Sequence, residues 1–123
     1  MTGDNMLHAR WQSFRHAFAG IAVLVATQPN ARIHVLATGV VIVAGIAARI
    51  STQDWCLLVL AIALVWVAEA LNTAIEFLAD AAVPGHHALI KHAKDVAAAA
   101  VLLASVAAVL IAGFIFLPVI AQK

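Results

Sequence analysis

Trp66-Val67-Ala68-Glu69-Ala70-Leu71-Asn72-Thr73-Ala74-Ile75-Glu76-Phe77-Leu78-Ala79-Asp80 sets three acids and an asparagine inside a run that is otherwise apolar enough for a bilayer. At 100° per residue, Glu69, Asn72, Glu76 and Asp80 fall within an arc of about 80° on one helix face, over roughly 16 Å of axis. A charge at bilayer depth costs roughly 2.5 to 3.5 kcal/mol on insertion scales, so an aligned stripe of this kind marks a candidate functional site. Asn72 and Thr73 alone fit a simpler role, as hydrogen-bonding groups between packed helices. Three acids on one face exceed that need. Asp80, at the end of the run, reads equally well as a solvated helix end.

The rest of the chain fits the same solvent. Hydrophobic residues make up 65% of the 123 residues and charged residues 11%, with a mean hydropathy of +1.04, whereas soluble domains use roughly 45 to 50% apolar residues. These values predict an all-α membrane protein: one unit over residues 1–123, with an N-terminal amphipathic surface helix and three transmembrane helices. A net charge of +1 without a dense basic run removes nucleic acid as a partner. The single Cys56 excludes an intrachain disulfide and a multi-cysteine zinc site.

The surface helix is expected over about residues 5–27. Leu7, Trp11, Phe14, Phe18, Ile21 and Val25 share an arc of about 80°, with His8, Gln12, Ser13, Arg15 and His16 opposite. A basic polar face across from Trp and Phe suits the membrane interface better than a helix packed on its own bundle. Asp4, Arg10 and Arg15 interrupt the unbroken apolar core that a cleaved leader needs, so this segment reads as mature structure. Gln28-Pro29-Asn30 ends it.

Spans follow at about 33–50, 55–82 and 96–120. Asp54 or Thr52 is the expected N-cap of the second, and Pro84-Gly85 its stop signal. The small residues Ala97, Ala98, Ala99, Ala100 and Ala104 permit close helix approach in the third. Trp11, Trp55 and Trp66 read as interface anchors or packing residues. Arg10, Arg15, Arg32, Lys91 and Lys94 flank one side of the membrane against Arg49 and Lys123 on the other, which places the N-terminus and the 83–95 loop in the cytoplasm. The acids then form a half-buried pocket at the inner interface, beside His86, His87, Lys91, His92, Lys94 and Asp95.

Two function classes fit such a pocket: an enzyme acting at the lipid surface, and a small oligomeric proton or cation pathway. A pathway needs polar steps to the far side, and residues 56–68 offer none. The enzyme reading is therefore preferred. Phosphate loops, kinase catalytic-loop segments and dinucleotide fingerprints are all missing from the sequence. Zinc spacings are also missing, which leaves carboxylates for Mg²⁺ and Lys and His side chains for phosphates.

Two motifs carry a resemblance over nearly the whole chain. Glu69-Ala70-Leu71-Asn72-Thr73-Ala74-Ile75-Glu76 with Asp80, followed by Ala93-Lys94-Asp95-Val96-Ala97-Ala98-Ala99-Ala100-Val101, resembles the signature of the small prokaryotic diacylglycerol kinases, a family that includes undecaprenol kinases. Ser13 to Ile21 and Asn30-Ala31-Arg32-Ile33-His34 resemble that family's surface helix and its entry into the first span. The resemblance implies a homotrimer in the bacterial cytoplasmic (inner) membrane, with sites shared between subunits. It implies transfer of the γ-phosphate of MgATP to the primary hydroxyl of diacylglycerol or undecaprenol, with Mg²⁺ as cofactor.

Position by position, the resemblance implies Glu69 as general base and lipid contact, Glu76 as metal ligand, and Asn72 as the residue orienting phosphates. Lys94, Asp95 and His87 correspond to nucleotide contacts, and Ala98 to a lipid contact. Gln28 stands where many relatives carry a glutamate that shares the metal with Glu76. A neutral amide there weakens the metal site unless Asp80 or ATP supplies charge.

Overall fold

The structure, a computed structural model, describes residues 3–123 and is helical almost throughout. Four helices follow one another: α1 (Gly3–Thr27), α2 (Pro29–Ala48), α3 (Thr52–Ala82) and α4 (Ala88–Ala121). The last three, of 20, 31 and 34 residues, are each long and apolar enough to cross a membrane. At 1.5 Å per residue, α3 and α4 exceed a hydrocarbon core of about 30 Å by several turns, so their polar ends project beyond it.

Several boundaries differ from the sequence reading. Helix α2 runs over 29–48 where a span over about 33–50 is expected, because Pro29 starts the helix instead of extending the break. Helix α3 starts at Thr52, three residues before the expected 55. The polar stretch expected as a connection up to residue 95 is helical from Ala88, so α4 begins two turns before the predicted 96. His87 caps it by accepting from Leu89 N–H at 3.2 Å, and Lys91 pairs with Asp95 one turn on. Local capping and an i,i+4 pair thus hold a helix where hydropathy showed only polarity. The N-cap of α3 is Ser51, whose hydroxyl accepts from Asp54 N–H at 3.1 Å; Thr52 and Asp54 are already inside the helix.

The break at Gln28 is a single residue. Pro29 opens α2 at the first helical position, where its missing N–H leaves nothing unsatisfied. Arg32 reaches back to the exposed carbonyls of α1, donating from Nε to Val25 O at 3.1 Å and from Nη2 to Ala26 O at 2.6 Å. Its cation thereby closes the negative end of α1. In α1 only Leu24 is buried. Leu7, Trp11, Phe14, Phe18 and Ile21 are all more than half exposed, an apolar face turned away from the bundle and available to the interface.

At the other end of the bundle, Arg49 takes the left-handed conformation (φ 52°). The N–H groups of Arg49 and Ile50 then close on the carbonyls of Ile46 and Gly45. This turn swings α3 against α2, where Gly45 is buried beneath the Trp55 ring.

The deepest packing lies between α3 and α4. Leu58, Ala61, Val65, Glu69, Asn72 and Ala79 are the buried positions of α3 along this seam, spaced by three, four or seven residues as in a coiled coil. Ala97 and Ala104 are buried on α4, where small side chains let the backbones approach, whereas Ala98, Ala99 and Ala100, expected in the same role, are exposed because they lie on the other faces of the helix. The seam is apolar over its first three positions and changes to Glu69 and Asn72 halfway. The buried part of the acidic stripe, Glu69 and Asn72, therefore lies in the half of the packing seam nearer the α3–α4 connection.

Candidate active site

Glu69 is the most deeply placed of the acids, at 1% exposure. It sits on the floor of a cleft of about 350 Å³ between α2, α3 and α4, together with Asn30, His34, Asn72, Glu76 and Ala98. Asn72 is buried and Glu76 half-buried, and Asn72 Nδ2 donates to Glu76 Oε1 at 3.4 Å. The cleft so gathers four residues named from sequence, Glu69, Asn72, Glu76 and Ala98. It adds His34, whose Nε2 lies 3.4 Å from Glu69 Oε2. That separation is an ion-pair distance without hydrogen-bond geometry, since both atoms are buried and unpaired.

One turn nearer the helix ends, a second cleft of about 440 Å³ is lined by Asp80, His87, Lys91, Lys94 and Asp95. Lys94 Nζ donates to Asp80 Oδ1 at 2.6 Å, and Lys91 Nζ to Asp95 Oδ2 at 2.6 Å. The Asp80 hydrogen bond raises the Lys94 pKa above its ordinary value, with the charges of Asp80 and Glu76 adding to it. The Lys91 hydrogen bond lowers Asp95, helped by the charges of Lys91 and His92. Lys94 and Asp95 are thus held in their charged forms and already engaged with side chains. A phosphate reaching Lys94 would exchange with Asp80. His87 spends Nδ1 on the α4 cap, which leaves Nε2 for a ligand.

A third feature is apolar. A groove of about 200 Å³ lined by Thr38, Leu58, Ala61 and Val65 shares His34 and Ser105 with the Glu69 cleft. It leads from the acidic floor along the apolar half of the seam. Trp66 braces this junction: its indole N–H donates to Thr38 Oγ1 at 3.0 Å, and its ring meets His34 edge-on with centroids 6.2 Å apart. It is a packing residue at depth. Thr73 Oγ1 is buried without a partner, in a position that also faces α1.

Gln28 does not line either polar cleft. Its amide donates to Thr27 Oγ1 at 3.3 Å, and its backbone serves as the N-cap of α2. Among the described residues no three His, Cys, Asp or Glu side chains converge as a metal cage. The donors do suit Mg²⁺ in another way. Asn72 Oδ1 is a buried acceptor with no partner beside the Glu76 carboxylate, and Mg²⁺ takes one or two protein oxygens with water and phosphates completing its shell.

Three helices able to span a membrane, with a buried acid in a polar cleft that adjoins an apolar groove, define the class: an all-helical membrane protein with a polar site at depth between its spans. The sequence profile of prokaryotic diacylglycerol kinase matches residues 15–116. A diacylglycerol kinase from Synechocystis is 44% identical over 107 residues, covering 86% of this chain and 61% of the relative, so the chain spans less than two thirds of that protein's length. An undecaprenol kinase from Bacillus subtilis is 38% identical over 114 residues, covering 93% of each. No solved structure gives a significant match. The chain belongs to the prokaryotic diacylglycerol kinase family, which places it among the kinases that act on lipids.

Proposed function

We propose that the protein transfers the γ-phosphate of MgATP to the primary hydroxyl of diacylglycerol, giving phosphatidic acid. The observation that carries this reading is the position of Glu69. It is buried where a polar cleft with Lys94 one turn away meets an apolar groove that can take a lipid chain. The lipid hydroxyl gives its proton to Glu69 as its oxygen attacks the γ-phosphorus in line. Glu76 would hold Mg²⁺, with the Asn72 side-chain oxygen as the neighbouring acceptor, and the bound ion would supply charge that offsets the phosphates. Lys94, Asp95 and His87 Nε2 hold the nucleotide, and Ala98 borders the lipid. Gln28 is kept as a metal and nucleotide contact on resemblance alone.

On the family resemblance the membrane is the bacterial inner membrane, and an N-terminus and α3–α4 connection in the cytoplasm are supported by the five of seven Lys and Arg residues at that end. A homotrimer with shared sites fits a subunit whose clefts are open at the side. A second acceptor, undecaprenol, is favoured by one observation: the undecaprenol kinase relative aligns almost end to end with this chain. Both acceptors present a primary hydroxyl on a long apolar body. Purified protein given labelled ATP, Mg²⁺ and each lipid in parallel micelles decides between them. Faster labelling of diacylglycerol supports the reading, and faster labelling of undecaprenol replaces it.

A further inference from the structure

The reaction leaves a proton on Glu69, at 1% exposure, with no hydrogen-bonding neighbour to remove it. The one basic group within 4.0 Å among the described residues is His34 Nε2, at 3.4 Å from Oε2 and equally unpaired. His34 is 17% exposed, so its imidazole connects the sealed carboxylate to the cleft. It is also held in place from outside the site. Trp66, three residues before Glu69 on α3, packs edge-on against the imidazole and is itself tied to Thr38, one turn beyond His34 on α2. Two unpaired buried polar atoms facing each other inside a braced frame are costly as packing and call for a role.

We propose that His34 is the positioning and proton-relay partner of Glu69, an inference that rests on the kinase reading above. In the transfer step the lipid O–H bond breaks, its proton goes to Glu69, and the oxygen's electron pair forms the new P–O bond. The bond from the γ-phosphorus to the β–γ bridging oxygen breaks, and ADP leaves with that pair. The proton then moves from Glu69 Oε2 to His34 Nε2 and from the imidazole to water in the cleft, which restores the carboxylate. A movement of a few tenths of an ångström brings the pair to hydrogen-bond length. The other titratable group of this cleft is Glu76 on α3; α4 contributes Ala98, Val101, Leu102 and Ser105, none of which titrates. Arg32 on α2 is committed to the carbonyls of α1.

The test compares the full-length wild type with His34→Ala, His34→Gln and Glu69→Gln in mixed micelles, with helical content and elution volume checked for each. His34→Ala and His34→Gln are expected to lower kcat about 10- to 100-fold with the KM values for lipid and ATP nearly unchanged. Added imidazole is expected to restore His34→Ala but not His34→Gln, and the dependence of kcat on pH to change in both. Wild-type kcat in either folded His34 variant overturns the proposal, as does a lowered kcat in folded His34→Ala that imidazole does not restore. If His34→Ala does not fold, His34→Gln against wild type decides alone. The kinase reading fails separately, by absence of labelled lipid in the wild type; its base assignment fails by undiminished activity in Glu69→Gln.

Discussion

Lys94 Nζ and Asp80 Oδ1 lie 2.6 Å apart across the α3–α4 interface, joining the last turn of the acidic stripe to the second turn of α4. Asp80 therefore holds the lysine that faces the second cleft. Its side chain is 67% exposed, so solvent screens the pair and limits what the contact contributes. Asp80→Ala is expected to keep the fold and to change the KM for ATP by no more than about fivefold, with kcat at saturation nearly unchanged. Initial rates against ATP concentration check this. A collapse of kcat instead would make Asp80 part of the chemistry.

The same pairs set a pH window. Lys94 is raised from 10.5, so its contribution is complete below that value and is lost as pH climbs through the raised one. Asp95 is lowered from 3.8, so its contribution is complete above that value and is lost as pH falls through the lowered one. Both are therefore constant between about pH 5 and 9. Equilibrium binding of a nucleotide analogue should carry no titration from Lys94 or Asp95 across that range. Any midpoint found there belongs to another group.

Gly45 tests the packing of α2 on α3. A methyl group added there meets Trp55 Cη2 at 2.7 Å and Cζ2 at 2.9 Å, which forces the ring or the helix to move. Gly45→Ala should destabilise the protein by about 1–3 kcal/mol, as overpacking of close interfaces does. Trp55→Leu in the same chain should recover most of the loss. Thermal unfolding in detergent gives both values. An unchanged midpoint in the single variant would mean that this end of the bundle yields easily.

Gln28→Glu restores a carboxylate at the α1–α2 junction. The change should lower the Mg²⁺ concentration needed for half activity, because an anionic oxygen binds this hard cation more tightly than an amide oxygen. A titration of activity against Mg²⁺ at fixed ATP measures it. An unmoved midpoint would take Gln28 out of the metal site and leave it as the N-cap of α2.

What the sequence made legible follows from periodicity. Glu69, Asn72 and Glu76 share a face at helical spacing, and hydropathy shows that the face lies in a membrane, so both their association and their depth could be read directly. The spans emerged for the same reason. Contacts between helices leave no such trace. His34 stands alone near the start of α2, and nothing in its neighbours points to Glu69, 35 positions later; only the α2–α3 turn at Arg49 brings them together. Arg32 read as a topology signal because its use, closing the carbonyls of α1, depends on a one-residue helix break. The start of α4 was hidden because His87 and the Lys91–Asp95 pair stabilise a helix by local polar contacts, which composition scores as loop.

The most direct test of the account is phosphate incorporation into lipid by wild type and Glu69→Gln side by side, in mixed micelles with labelled ATP, Mg²⁺ and diacylglycerol. Loss of a general base costs about 10²- to 10⁴-fold. Wild type should yield labelled phosphatidic acid and Glu69→Gln a fall of that size, with the KM for ATP preserved. Equal labelling by the two proteins, or no labelled lipid from the wild type with either diacylglycerol or undecaprenol, would contradict it.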